Sequence, residues 1–98
     1  MEAISIPQTE CFESALKFAR TEGIVPAPEP THALAAAIRE ALACRESGEE
    51  KVILTALCGH GHLDLAAYDK YLAGEMVDLD LSDETIAEAM QSVPEIEA

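Results

Sequence analysis

The residues best suited to chemistry in this 98-residue sequence lie together in Cys58–Asp64, CGHGHLD. A thiol, two imidazoles and a carboxylate alternate there, so an extended turn would point all four to one side. Such groups can bind zinc. Residues two apart on a strand are roughly 6.5 Å apart, so four ligands would converge only if Gly59 and Gly61 bent the chain sharply. We expect no metal ion here, and a small metal-binding protein stays an alternative.

The same turn suggests two further chemistries. Cys58 beside a histidine is a possible nucleophile, but nothing in the sequence marks a base with an orienting partner. Backbone N–H groups ahead of a helix can bind an anion, but Asp64 is expected to cap that helix and would occupy the position itself. Polar turn residues that bond to local backbone are the simpler interpretation.

A strand should position this turn. Val52–Leu57, VILTAL, is apolar and partly β-branched without a helical gap, which is typical of a strand buried on both faces. A helical pattern follows Asp64. Strand, glycine turn and helix in this order place a ligand at the carboxyl end of a strand.

Four helices are predicted around this unit. They start near Thr9, Thr31, Asp64 and Ser82, each a plausible cap, and stop near Gly23, Ser47-Gly48, Ala73-Gly74 and Pro94. The residues expected to face inward are Phe12, Ala15, Leu16 and Ala19, then Ala33, Leu34, Ala37, Ile38, Ala41 and Leu42, then Leu65, Tyr68 and Leu72, and finally Ile86, Ala89, Met90 and Val93. The proline loop, Glu22–Pro30, is expected to be a fixed connection, Met76–Leu81 a loop, and Ala3–Ile6 a short, doubtful strand.

These elements predict an α/β fold: a partial Rossmann-like layer of about four helices with one buried strand and one or two short strands. We expect one partial domain over residues 1–98, with a frayed tail at 94–98. A lone buried strand needs neighbours on both sides. The partners should therefore be the remainder of a longer chain or another copy, with self-association through open sheet edges.

Charge and composition exclude several classes. The net charge of −13 repels phosphate backbones and anionic membranes, so neither nucleic acid nor membrane is expected as a partner. Three dispersed cysteines and no basic-then-apolar leader favour a reduced, cytoplasmic location. An acidic, non-catalytic module that binds another protein chain remains an alternative function.

Several short motifs, in order and at matching separations, resemble one family, the tryptophan synthase β chain of the second, β-like type. They are Arg20–Glu29 (RTEGIVPAPE), His32-Ala33, Gly59–His62 (GHGH) with Asp64, Tyr68-Asp69 and Leu72–Gly74. The resemblance covers nearly the whole chain and implies the C-terminal part of an enzyme dependent on pyridoxal phosphate, of fold type II. Leu63 departs from the aromatic residue usual in the family.

The resemblance implies a place beside the cofactor. Cys58 falls where the family commonly has a serine that bonds the pyridine nitrogen, and Glu22 falls on a glutamate near the same ring edge. The implied cofactor-binding residues are Glu22, Gly23, Cys58, Gly59 and His60. The family joins L-serine and indole to give L-tryptophan.

The resemblance also implies what these residues lack. The Schiff-base lysine and the glycine-rich phosphate loop of the family would lie upstream of Met1, and Lys17, Lys51 and Lys70 match no lysine of that role. Pyridoxal-phosphate chemistry needs both groups. We therefore expect no catalytic residue here, and no activity or tightly held cofactor from this chain alone.

Overall fold

The computed structural model describes residues 1–78 and 82–94, and within these ranges the chain is helical. The helices are α1 (Gln8–Glu22), α2 (Thr31–Ser47), α3 (Leu65–Leu72) and α4 (Asp83–Met90), and a 3₁₀ turn at Gly61–Leu63 leads into α3. The four predicted helices are therefore present in the predicted order.

The predicted α/β layer is wrong. Residues 52–57 and Ala3–Ile6 form neither helix nor strand, and one isolated antiparallel bridge, Pro26 with His60, is the β-pairing within the described residues. Val52 and Leu54 are 100% and 94% exposed instead of buried. The physical reason is pairing: a strand needs N–H and C=O partners on a neighbour. A β-branched apolar run supplies only a preference, which depends on what packs around it.

The helix ends were predicted better than the helix starts. Gly23 and Gly48 follow α1 and α2 in the left-handed conformation, as their positions predicted. Ser82 caps α4 by accepting a hydrogen bond from the Thr85 N–H at 3.2 Å. Thr9 and Thr31 are not caps, because each lies inside its helix and its hydroxyl bonds elsewhere, to Asp78 and to the Pro28 carbonyl.

The core lies between the first turns of α1 and one face of α3. Phe12 and Ala15 are almost fully buried and contact Tyr68, whose ring meets Phe12 edge-on at a centroid distance of 5.0 Å. The Tyr71 ring also stacks on Phe12, at a centroid distance of 5.6 Å. Edge-on and offset ring pairs are the favoured aromatic geometries. Three rings thus compensate for a chain otherwise rich in alanine.

Polar contacts tie α1 to its neighbours. Arg39 of α2 holds the Glu10 carboxylate through both forks of its guanidinium, with Nε 2.7 Å from Oε1. The Thr9 N–H donates to Asp78 Oδ1 at 2.9 Å, so a carboxylate lies at the positive end of α1. These bonds lower the pKa of both carboxyl groups, that of Glu10 through Arg39 and that of Asp78 through Thr9.

The buried faces are narrower than predicted. On α2 the buried residues are Thr31, Leu34 and Ala35, whereas Ala41 and Leu42 are exposed. On α3 only Tyr68 is buried. Leu65 and Leu72, predicted to face inward, are 58% and 63% exposed.

All of α4 is exposed, and so is the whole of the predicted inward face, which runs past the end of α4 to Val93. The last part of the expected loop, residues 79–81, and residues 95–98 of the expected frayed tail lie outside the described residues. The single partial domain stays a prediction.

Candidate functional site

The proline loop meets the turn that we call the glycine turn, residues 58–62. The Ala27 N–H donates to the Gly59 carbonyl at 3.2 Å, and the Gly61 N–H donates to the Val25 carbonyl at 2.8 Å. These two bonds form the bridge that pairs Pro26 with His60. Two segments more than thirty residues apart in sequence are thereby joined at their backbones.

Gly61 allows this close approach because it has no side chain. A Cβ added there would lie 2.5 Å from the Pro26 carbonyl oxygen and 3.0 Å from the Tyr68 ring. A carbon atom 2.5 Å from a carbonyl oxygen is far inside van der Waals contact, so only glycine fits at position 61 without displacing the backbone. The glycine turn is thus packed against the proline loop at its base, where Gly61 is buried.

Tyr68 closes the base of the site from α3. Its hydroxyl donates a hydrogen bond to the Pro26 carbonyl at 2.6 Å, and the side chain is 6% exposed. Burial raises the pKa of Tyr68, with a smaller contribution from the Asp64 charge, so the hydroxyl remains a donor at neutral pH. The sequence predicted Tyr68 as an inward-facing residue and as part of a family motif, but it did not predict the hydrogen bond to Pro26.

The predicted cofactor-binding residues all reach the surface near this junction. Glu22 is the last residue of α1 and Gly23 follows it, and both are exposed. Cys58, Gly59 and His60 are exposed on the glycine turn. The structure brings Gly59 and His60 to the proline loop. The close approach of Cys58 to Glu22, and the cofactor role of all five residues, stay predictions.

The two histidines of the turn contact each other and local backbone. Their rings are 4.8 Å apart, and His60 Nδ1 accepts a hydrogen bond from the His62 N–H at 3.3 Å. In the described residues, no three side chains of His, Cys, Asp or Glu are arranged to hold a metal ion. The metal-binding alternative therefore has no ligand set in this part of the chain.

A thiol–imidazole pair does exist, but not at the glycine turn. Cys11 Sγ lies 3.3 Å from His32 Nδ1, where α1 crosses the start of α2. The side chain of Cys11 is 1% exposed, and this burial raises the pKa of its thiol. A buried thiol with a raised pKa is a poor nucleophile, so this pair is a packing contact.

An apolar groove runs between α1, α2 and the extended segment 53–55. Its volume is about 430 Å³ and its lining is mostly apolar, with Phe18, Leu34, Ala37, Ile38, Ala41 and Ile53 beside Lys17, Thr21 and Thr55. Four of these, Leu34, Ala37, Ile38 and Ala41, belong to the α2 stripe that the sequence predicted to be buried, and of the four only Leu34 is buried. The groove is therefore an apolar surface that residues 1–78 and 82–94 leave open.

Residues 1–78 and 82–94 thus combine two features: a loop junction held by backbone hydrogen bonds, and an apolar groove between α1 and α2. The sequence comparisons show which proteins this chain is similar to. The chain is 65% identical over 78 residues to the tryptophan synthase beta chain 2 of Aquifex aeolicus, covering 80% of this chain and 18% of that protein.

Other relatives give the same result. The chain is 60% identical over 77 residues to the tryptophan synthase beta chain 2 of Methanosarcina acetivorans, covering 79% of this chain and 17% of that protein. It is 45% identical over 94 residues to the tryptophan synthase beta chain 2 of Pyrococcus furiosus, covering 96% of this chain and 21% of that protein. No family model matches the chain. It spans about one-fifth of the length of the curated relatives that it matches.

The predicted resemblance is confirmed: this sequence matches a segment of tryptophan synthase β chains of the second type. No helix in residues 1–78 and 82–94 has the length and apolar character needed to cross a bilayer. The cytoplasmic location stays a prediction.

Proposed function

We propose that this chain forms the part of a tryptophan synthase β-like enzyme that lies beside the pyridine ring of pyridoxal phosphate. The observation that carries the proposal is the 65% identity over 80% of the chain to a protein named tryptophan synthase beta chain 2. In such an enzyme the substrates are L-serine and indole, and the product is L-tryptophan. The bound cofactor supplies an electron sink at the substrate's α-carbon.

The exposed rim of the glycine turn fits one edge of a planar ring. Gly59 presents backbone without a side chain, and Cys58 presents an exposed thiol. A thiol is a weak donor and a weak acceptor, so it can contact a ring nitrogen without supplying a strong proton donor. Glu22 and Gly23 would border the same ring edge, and His60 would flank it.

The residues do not fit the other needs of the cofactor. The Lys51 ammonium lies 3.5 Å from a Glu49 carboxylate oxygen and 3.8 Å from a Glu40 oxygen. The charge of Glu49 raises the pKa of Lys51, so this lysine is an ammonium group in a surface ion pair. We propose that these 98 residues alone bind no cofactor tightly and catalyse nothing, because the resemblance assigns the Schiff-base role to none of Lys17, Lys51 and Lys70.

The uncovered surfaces favour a contact with the rest of a β chain. Ala37, Ile38 and Ala41 line the groove, and Val52 and Leu54 stand free beside it. Because removing apolar side chains from water lowers the free energy of the system, these surfaces favour a partner that covers them. Self-association through open sheet edges has no sheet to use in the described residues. When the rest of a β chain is absent, a second copy would cover the groove instead.

A chimaera tests the proposal. This chain replaces the matching segment of the Aquifex aeolicus protein, and cofactor binding and tryptophan formation are measured. We expect activity close to that of the unaltered relative. Cys58→Ala should shift the absorbance of the bound cofactor and lower kcat several-fold, whereas Cys58→Ser should retain activity. Cys44→Ala, a thiol change on α2, is the matched control and should change neither quantity.

Two results would contradict this proposal. A chimaera that folds but binds no pyridoxal phosphate would show that the segment does not form the ring-side wall. Turnover of serine and indole by the 98 residues alone would refute the proposed inactivity.

The uncovered groove also favours a second candidate, an acidic module that binds another protein chain without catalysis. It predicts a stoichiometric complex with one defined partner and an inactive chimaera. The first candidate predicts the reverse.

A further inference from the structure

A single buried hydrogen bond joins the Tyr68 hydroxyl on α3 to the proline loop. The hydroxyl donates to the Pro26 carbonyl at 2.6 Å, across 42 positions of sequence. Pro26 itself has one of the most completely buried side chains in the described residues. The bond therefore joins α3 to the proline loop inside the protein. It does not lie at the rim of the glycine turn, by which we mean the exposed residues 58–60.

The bridge leaves the Pro26 carbonyl in need of a partner. Its two hydrogen bonds use the backbone groups of Val25, Ala27, Gly59 and Gly61, and none from Pro26 or His60. A pair of this kind turns its own N–H and C=O groups away from the bridge. Proline has no N–H to lose there. Its carbonyl, however, faces the Tyr68 hydroxyl, and a buried carbonyl without a donor is costly.

The same tyrosine ring supports the glycine turn directly. The position that a Cβ of Gly61 would take is 3.0 Å from Tyr68 Cε2, so the ring fills the space that the glycine leaves free. The ring is in turn held against Phe12. Tyr68 thus lies against both segments that the bridge joins, the proline loop at Pro26 and the glycine turn at Gly61, while its ring is packed on Phe12 in the core.

We propose that Tyr68 is a positioning residue for the cofactor-facing rim: its hydroxyl holds the proline loop and the glycine turn in one relative orientation. The inference rests on the proposed function, since it deepens the role of that same rim. Tyr68 does not reach the surface where the cofactor would lie, so it acts through Pro26 and Gly61. Loss of the hydroxyl should loosen the bridge and let Gly59 and His60 adopt several orientations.

The first test measures the bridge itself in this chain. Amide hydrogen exchange is followed at Gly61 and Ala27 in the unaltered chain, in Tyr68→Phe and in Tyr71→Phe. Tyr71 is the matched control, because it also packs on Phe12, and within residues 1–78 and 82–94 its hydroxyl makes no hydrogen bond. We expect about tenfold faster exchange at both amides in Tyr68→Phe, equivalent to about 1.4 kcal/mol. Tyr71→Phe should leave both within about twofold.

If the Tyr68 hydroxyl only stabilised the fold as a whole, the pattern of hydrogen exchange would differ. In that case exchange would rise by a similar factor throughout α1 and α2, not selectively at Gly61 and Ala27. Either that uniform rise or unchanged exchange at the two bridge amides would overturn the proposal.

The second test uses the chimaeric enzyme and separates binding from turnover. In Tyr68→Phe we expect kcat to fall about five- to tenfold, the KM for serine to stay within about twofold, and the fluorescence of the bound cofactor to shift. Tyr71→Phe should match the parent chimaera. An unchanged kcat in Tyr68→Phe would overturn the positioning role.

The two tests fail in distinguishable ways. A parent chimaera without bound pyridoxal phosphate overturns the proposed function and the positioning role with it, even if the exchange result holds. An active chimaera whose bridge amides are unaffected by Tyr68→Phe overturns only the inference about Tyr68.

Discussion

Two apolar regions of this chain differ in how far their side chains are buried. The Phe12 region joins α1, the proline loop, the glycine turn and α3 around three aromatic rings, and its central side chains are almost fully buried. The groove region comprises the α2 stripe and residues 52–57, where Val52 and Leu54 are almost wholly exposed. In the first region, the apolar side chains are buried by other residues of this chain. The second leaves most of its apolar side chains exposed among the described residues.

Paired truncations should give the largest contrast between the two regions. Phe12→Ala removes a buried ring and should lower the free energy of unfolding by about 3–5 kcal/mol. Leu54→Ala removes a side chain that is 94% exposed and should change it by less than about 0.5 kcal/mol. Urea unfolding followed by circular dichroism measures both. Similar losses in the two variants would mean that residues 52–57 are packed in solution.

Adding one methyl group at Gly61 should have the next largest effect. Gly61→Ala forces Cβ against the Pro26 carbonyl and should cost about 3 kcal/mol, the upper part of the range for overpacking. Gly48→Ala is the control, because its Cβ meets open space and only the positive φ is strained, at about 1 kcal/mol. Thermal unfolding compares them. Equal costs would show that the glycine turn has room to move away from the proline loop.

A charge in the groove region should change association and not folding. Leu54→Glu removes an apolar contact worth about 2 kcal/mol, so self-association should weaken about thirtyfold. Leu63→Glu is the matched control, since Leu63 is 91% exposed on the 3₁₀ turn and outside the groove. Analytical ultracentrifugation gives the dissociation constants. If both substitutions weaken association equally, the added charge is responsible and the exposed apolar side chain of Leu54 is not part of the contact.

The smallest effect should come from the ion pair that links α1 to α2. The Arg39 hydrogen bond holds the pKa of Glu10 below its ordinary value of 4.5. The folded state therefore binds this proton less readily than the unfolded state, so the stabilisation is complete above pH 4.5 and is lost as the pH falls through the lowered pKa.

Arg39→Gln should slightly lower the melting temperature at pH 7 and reduce the further fall in melting temperature between pH 7 and pH 3. Arg45→Gln, on the same helix, is the control and should change neither. Melting temperatures between pH 7 and pH 3 measure the difference. An acid decline that is equally steep in Arg39→Gln would assign it to other carboxylates, such as Asp78.

Periodicity predicted the helices because local spacing determines which residues can share a helix face. The ends of α1 and α2 were also predictable from local sequence, because the residue after each helix adopts a left-handed conformation that favours glycine. The capping roles of Thr9 and Thr31 were wrong because the competing partners, Asp78 and the Pro28 carbonyl, depend on tertiary or loop geometry. The strand at 52–57 was wrong for a related reason, since pairing is a property of two segments.

The sequence by itself determined the helices, the acidic charge and the family resemblance, because these depend on composition, short-range spacing and the order of motifs. Only the tertiary structure decided that Gly61 approaches Pro26, that Tyr68 donates to the Pro26 carbonyl, and that residues 52–57 remain without a sheet. Each of these depends on atoms that lie far apart along the chain. Their distance from one another is set by how the helices pack and by which backbone groups find a partner.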